Sequence, residues 1–532
     1  MKKRRNRITA LIVCIAVLLG ALCAGAIAVS VTNGLFKNNT PTYIKLGTEL
    51  TGIIRSSEDY EAYMFDVTEP GTLVVRLNHE DFMDSTKSGW TLSLYKIIDE
   101  DEKAYKEVAY FESFWNDMTS DWGETGLDTG TYLLMVNPGM YFLESEYTLS
   151  TLFTPTDTFE REPNDSKETG TYLQVGYGKH GVSSRRTEGT DVDWFAFDLV
   201  EDSCINLSFT HPDGTFPQVG WTVTLLNENN DKITQFTSRL TDLVLQTGSI
   251  GLTAGRYYVS VEAQTELCKT YTLVVGADKA VNHEFELNDT PEQAIDLPHN
   301  FAISGSLADR LLSLDKDYYK FQVEKYGYID FTFSHQLQDG NKNGWNVRIF
   351  KPLEDGSYYE IVRKISKWNE EAITIESLGL SPGEYYVCID GDSMSYNSAT
   401  YTCKWQFTED SRFESEPNST LATADNIDVR THYYGAIISS DVTYDEDYYK
   451  FSIDSTSRVC LEFGHDRMTG SNICWNASIV DANGKTMCTL KSALNEGLVS
   501  TPVVELPAGT YYVKVETGMY GSEIPYYFRV MK

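Results

Sequence analysis

The stretch Cys204-Ile205-Asn206-Leu207-Ser208-Phe209-Thr210-His211 decides the fold class. Ile205, Leu207 and Phe209 are apolar, and Asn206 and Ser208 between them are polar. Alternation with period two puts one set on each face of an extended chain, the mark of a half-buried β-strand. The pattern continues on both sides. Trp221, Val223 and Leu225 alternate with Thr222 and Thr224, and Phe195, Phe197 and Leu199 alternate with Trp194, Ala196 and Asp198. Gly, Asn and Asp punctuate these short runs, and no long helical periodicity follows the first thirty residues. Such sheets bury one face by packing on a second sheet. The expected fold is all-β, a sandwich of antiparallel sheets with jelly-roll-like connections.

His211 leads outward to a repeat. Histidines at His79, His211, His335 and His465 each precede, by ten or eleven residues, a tryptophan at Trp90, Trp221, Trp345 and Trp475, with tryptophan intervals of 131, 124 and 130. A Gly-x-Tyr signal follows in each copy, at Gly130-Thr131-Tyr132, Gly255-Arg256-Tyr257, Gly383-Glu384-Tyr385 and Gly509-Thr510-Tyr511. Solenoid repeats span roughly 20–50 residues, so copies this long each hold a core of their own. The expectation is four tandem β-sandwich domains over residues 43–154, 159–277, 283–409 and 413–532, the first divergent.

A different kind of segment precedes them. Lys2, Lys3, Arg4, Arg5 and Arg7 stand ahead of an apolar run of 24 residues, 8–31. Residues 1–31 read as a signal peptide or a membrane anchor: Ala26-Ile27-Ala28 offers a cleavage site, while the run as a whole is long enough to span a bilayer as a hydrophobic helix. On either reading the basic end stays cytoplasmic and the N-terminal segment enters the membrane. The rest is extracellular, secreted or anchored to the outer face of the cell membrane. Removing those five positive charges from the net charge of −33 leaves the remainder near −38. That excludes nucleic acid as a partner and favours cations, although a solvated acidic surface also keeps an exported protein soluble. Seven cysteines follow the leader, an odd number in no zinc-ligand spacing, so no disulfide framework defines the unit.

The unit resembles the bacterial pre-peptidase C-terminal domain, a group that includes the collagen-binding domains of clostridial collagenases. Three acidic heads carry the resemblance: Glu160-Arg161-Glu162-Pro163-Asn164-Asp165, Glu284-Phe285-Glu286-Leu287-Asn288-Asp289 and Glu414-Ser415-Glu416-Pro417-Asn418-Ser419. So do the following Asp pairs, Asp191 and Asp193, Asp315 and Asp317, Asp445 and Asp447, each running into aromatic residues, and the later Gly-x-Tyr-Tyr. The resemblance implies a calcium site built from head and Asp pair. Calcium takes six to eight oxygens at about 2.3–2.6 Å, which carboxylates and amide carbonyls supply. The expected ligands are Glu160, Glu162, Asn164, Asp165, Asp191 and Asp193 in the second unit, and Glu284, Glu286, Asn288, Asp289, Asp315 and Asp317 in the third. In the fourth they are Glu414, Glu416, Asn418, Asp445 and Asp447, a weaker set because Ser419 replaces an Asp. The first unit has no head, and Glu61 stands in place of the second Asp, so no site is expected there. The alternative is that each head is a solvated linker and each Asp pair caps a turn.

The repeated His and Trp fall on core-facing positions and read as structural rather than catalytic. Strand parity sends Trp194, Tyr318, Tyr448, Tyr258, Tyr386 and Tyr512 outward, where they are expected to contact a ligand; ordinary strand propensity is the competing explanation. No nucleophile elbow, metalloprotease helix, phosphate loop or dinucleotide fingerprint occurs, and the repeats leave no room for a separate catalytic domain. The chain therefore reads as an exported, non-enzymatic binding protein whose modules take calcium and an extracellular polymer, such as collagen-like protein, mucin or polysaccharide. The alternative is a structural spacer or scaffold on the cell surface with no polymer ligand.

Overall fold

The computed structural model describes residues 40–84, 86–99, 104–187, 189–212, 218–264, 269–308, 315–391, 398–438 and 445–532. The leader expected at 1–31, and Cys268, lie outside them. Within them the fold is all-β, apart from a single 3₁₀ turn at Pro291–Gln293. No described helix is long and apolar enough to cross a membrane.

Eight sheets form among the described residues, and they repeat one strand order. Around the opening stretch, one sheet runs Thr171–Tyr172, Val192–Leu199, Gly255–Ala263, Val219–Leu226, Lys232–Arg239. Its companion runs Gly178–Val182, Thr270–Lys279, Ser203–Thr210, Val244–Gln246, with Ile250–Leu252 also paired to Ser203–Thr210. The chain passes from sheet to sheet at most of its turns, which brings the two inner faces together. Elsewhere the order recurs, with single strands, Thr119–Leu127 and Ala372–Leu380, replacing the two short ones in the first and third copies.

The alternation of the opening stretch is borne out. Ile205, Leu207 and Phe209 point into one apolar cluster with Phe195, Phe197, Trp221, Val223 and Leu225, all buried. Three further clusters use the matching residues of the other copies. Each repeated histidine is a wedge at the edge of such a cluster. Its ring lies 4.1–4.4 Å from its tryptophan ring, between centroids. Nδ1 meets the carbonyl of the next residue at 2.7–2.9 Å, and Nε2 meets a buried serine hydroxyl on Ser113, Ser238, Ser366 or Ser492. A carbonyl only accepts, so Nδ1 carries a proton. Both nitrogens are occupied, which makes the histidine part of the core. The described cysteines, Cys204, Cys388, Cys403, Cys460, Cys474 and Cys488, are free thiols.

The acidic heads are not solvated linkers. In each, the first Glu donates its N–H forward and the second donates backward. Glu160, Glu284 and Glu414 bond to the carbonyls of His180, Ser304 and Tyr434 at 2.8, 2.9 and 3.0 Å. Glu162, Glu286 and Glu416 bond to those of Gly126, Gly251 and Gly379, in the preceding copy, at 3.1, 2.9 and 2.9 Å. The head is thus clamped between successive sheet pairs. The approach is so close that a Cβ on Gly126, Gly251 or Gly379 would overlap the carbonyl of Glu160, Glu284 or Glu414. Gly251→Ala is therefore expected to lower stability by about 1–3 kcal/mol. Thermal melting checks it against Gly255→Ala, where the nearest atom to an added Cβ is 3.7 Å away and no comparable loss is expected.

Candidate metal centres at the junctions

The head and the Asp pair, far apart in sequence, converge. The strands Val192–Leu199, Lys316–Val323 and Glu446–Ile453 each carry the second Asp on their inward face, beneath the clamped head. Carboxylate oxygens of Glu160, Glu162 and Asp193 lie within 4.8 Å of one another, as do those of Glu286, Asp315 and Asp317, and those of Glu414, Glu416 and Asp447. A further group joins Glu162, Asp165 and Asp191. Asp193, Asp317 and Asp447 are 0% exposed.

Each position has a recurrent set of donors. The first Glu accepts from a backbone N–H through one oxygen: Val182 to Glu160 at 2.6 Å, Ser306 to Glu284 at 2.6 Å, Ala436 to Glu414 at 2.7 Å. Its other oxygen accepts the side-chain amide of Asn164, Asn288 or Asn418 at 3.2–3.4 Å. That bond fixes the amide and leaves the Asn carbonyl oxygen unpaired inside the cluster. One oxygen of each second Asp accepts a phenol from the closing strand: Tyr271 to Asp193 at 2.6 Å, Tyr401 to Asp317 at 2.5 Å, and Tyr526 to Asp447. Burial, then the neighbouring carboxylates, push these tyrosines well up, so each stays a donor. The other oxygen of each Asp has no partner, nor has Oε1 of Glu416. Buried oxygens left unpaired beside one another are expensive unless something positive binds them. The donors are carboxylate and amide oxygens throughout, which fit a hard cation of the calcium type.

The expected ligands do not all contribute equally. Asp289 stands outside the third carboxylate group and accepts from the N–H of Lys316 at 3.4 Å. Glu284 is saturated, with Tyr319 at 2.5 Å and Tyr401 at 3.1 Å adding to its other donors. Asp445 accepts from the N–H of Ile438 at 2.7 Å, and with Glu416 and Ser419 lines a cavity of about 140 Å³ that Tyr359, Ile361 and Leu378 also line. The fourth copy, expected to be the weakest, thus has room for an ion and water beside its cluster. In the first copy Glu61 occupies the register position of the second Asp, opposite Val136 as Asp193 is opposite Val261. It accepts from Tyr147 at 2.7 Å, from Tyr63, and from the N–H of Ile53 at 3.3 Å.

Two features were missed in the sequence. The tyrosines Tyr271, Tyr401 and Tyr526 of the closing strands carry no local signal of a site, yet their hydroxyls serve it. Arg186, five residues before Asp191, enters the second cluster, its Nη2 donating to both oxygens of Glu162 at 3.3 Å, to Asp165 at 3.1 Å and to Asp191. An Arg-Arg pair beside an Asp pair in so acidic a chain was the available signal.

The outward aromatic face is only half present. Trp194, Tyr318 and Tyr448 are half-buried, but Tyr258, Tyr386 and Tyr512 are each 9% exposed. Their strand parity is as expected; neighbours cover them. Lys167 lies 4.3 Å over the Tyr258 ring, and Tyr358 meets Tyr386 edge-on at 5.4 Å.

No protein-family model matches the sequence. Among solved structures the chain is similar to the pre-peptidase C-terminal domain of a collagenase from Bacillus anthracis, at 21% identity over 22% of this chain and 100% of that one, with a TM-score of 0.17. It is also similar to the tandem N-terminal CBM22 domains of a Paenibacillus barcinonensis protein, at 8% identity over 40% and 82%, TM-score 0.15. A third is PNGase F, a glycosylasparaginase from Flavobacterium meningosepticum, at 10% identity over 44% and 96%, TM-score 0.19.

Without a cation the clustered carboxyls are shifted toward their protonated form. Burial is the main cause. It lifts Glu414 to about 8 and Glu284 to about 7, and with neighbouring charge drives Asp317, Glu416 and Asp447 well up. A carboxyl whose folded pKa is raised contributes stability that is full below its unfolded pKa and is lost as pH rises through the folded one. The melting temperature in chelator is therefore expected to fall between about pH 4.5 and about pH 8. Calorimetric scans across that window check it, and a rising profile would contradict it.

Proposed function

We propose that the chain is an exported, non-enzymatic binding protein of four tandem jelly-roll sandwiches, over 43–154, 159–277, 283–409 and 413–532, in which calcium at the junctions locks one sandwich to the next. The observation that carries this reading is the recurrence of unpaired, buried oxygens in the acidic clusters, at Asn164 and Asp193, at Asn288 and Asp317, and again at Glu416, Asn418 and Asp447. No described Lys or Arg forms an ion pair with Glu286, Asp317, Glu414, Glu416 or Asp447. The resemblance to pre-peptidase C-terminal domains adds calcium as the cation, and weak affinity suffices outside a cell. The ion would be held by head and Asp pair, supplying the positive charge that joins two sandwiches through one site. Export rests on the basic and apolar leader. On this reading successive modules display Trp194, Tyr318 and Tyr448 in series to an extracellular polymer, where weak contacts gain from multivalency.

Calcium titration of the full chain by calorimetry tests the metal. Binding is expected, with one equivalent lost in Asp447→Asn, together with a rise in melting temperature that chelation reverses. No heat and no shift would refute it.

A spacer with no polymer ligand is the second reading, and the burial of Tyr258, Tyr386 and Tyr512 favours it by removing half of the expected contact face. Retention assays against collagens, mucin and polysaccharides separate the two. The binding reading expects retention that weakens in Trp194→Ala, and the spacer expects none.

A further inference from the structure

Among the described residues, the second cluster is the one with a guanidinium inside it, and that bears on the metal. Arg186 has a side-chain exposure of 6%. Its Nη2 faces Glu162, Asp165 and Asp191 together, and both oxygens of Glu162 accept from it. Glu162 belongs to both carboxylate groups of this copy, so a cation using either group would need the atoms that Arg186 holds. In the fourth copy the matching Glu416 keeps Oε1 unpaired.

Arg186 is held from behind by the preceding sandwich. Its Nη1 donates to the carbonyl of Glu107, in the strand Ala104–Phe114. The adjacent Thr187 donates its N–H and hydroxyl to the Glu107 carboxylate at 2.9 and 2.7 Å. The carbonyl of Arg185 accepts from the N–H of Tyr110 at 2.8 Å, and the Arg185 guanidinium pairs with Glu112 at 3.0 Å. From the same strand Lys106 reaches Asp165 at 2.8 Å. Arg186 and Lys106 together bring the two positive charges that one divalent ion would bring. They bring them from both sides of the junction.

We infer that Arg186 is a built-in counter-cation that closes the second site to calcium and makes the junction of the first and second sandwiches metal-independent. The inference deepens the calcium reading and rests on it for the contrast with the other junctions. In sequence, Ser440 holds the place of Arg186 in the fourth copy, five residues before Asp445, and Arg310 holds it in the third; both lie outside the described residues.

Calcium binding by the full chain, wild type against Arg186→Gln, tests it by stoichiometry. Arg186→Gln is expected to bind one equivalent more than wild type, and the extra equivalent to vanish when Asp193→Asn is added. Asp193→Asn alone, which keeps Arg186 and an acceptor for Tyr271, is expected to leave the wild-type stoichiometry unchanged and serves where Arg186→Gln folds poorly. An unchanged count in folded Arg186→Gln, or one equivalent lost in Asp193→Asn alone, would overturn the inference. Failure of the calcium reading looks different: wild type then binds nothing and Asp447→Asn changes nothing.

Discussion

A carboxylate taken out of water has to be given donors, a proton or a cation, and the junctions of this chain are built around that demand. The heads are drawn inside by main-chain bonds on both sides, with Glu284 held by Ser304 and Glu286 by Gly251, so their side chains have nowhere to go but the cleft between sandwiches. Glycine at Gly126, Gly251 and Gly379 is what allows the main chain to come so close. Once inside, the carboxylates meet the second Asp of the following strand, itself fully buried. The backbone arrangement therefore creates the charge problem, and the side chains solve it in different ways along the chain.

In the first copy there is no head, and Glu61 is satisfied by the hydroxyls of Tyr63 and Tyr147 and the N–H of Ile53. In the second, Arg186 and Lys106 lie against the carboxylates. In the fourth, unpaired oxygens stand beside a cavity. These are neutral donors, fixed cations and an open position, on one scaffold with one register. Core and site meet at the closing tyrosines, since Tyr147, Tyr271, Tyr401 and Tyr526 are buried in the apolar clusters while their hydroxyls donate to the carboxylate beside them. The His–Trp–Ser wedge closes the other part of each cluster in all four copies, whatever the head has become.

The parts legible in the sequence were those governed by local periodicity. Alternation at Ile205, Leu207 and Phe209 sets a strand face without reference to anything distant, and the His and Trp spacing counts copies directly. The grouping of Glu286 with Asp315 and Asp317 was reachable because residue types at fixed spacing announce shared chemistry. Parity predicted which way Tyr258 and Tyr386 point but not what lies over them, because cover comes from Lys167 and Tyr358, on segments that no local rule relates to these strands. Arg186 was hidden for a similar reason. Its role depends on the strand Ala104–Phe114 of the preceding copy, some eighty residues away in the chain.

That dependence separates two kinds of junction. Where a cation comes from solution, the stiffness of the joint follows the composition of the medium, because binding stabilises only the clamped arrangement. Where the cation is a side chain held by the neighbouring sandwich, the joint is set when the chain folds. Arg185, Arg186, Thr187 and Lys106 all cross the first junction, and they engage Glu107, Glu112 and Asp165 on both sides of it. Among the described residues, Lys351 approaches the fourth cluster from the third copy, reaching the main-chain carbonyl of Glu416 at 3.3 Å and leaving Oε1 of its carboxylate without a partner, and Lys364 pairs with Glu523 at 2.7 Å. On the proposed reading, the joint toward the N-terminal end is fixed by Arg186 and Lys106, and the joint at the fourth cluster is the one that would answer to ions.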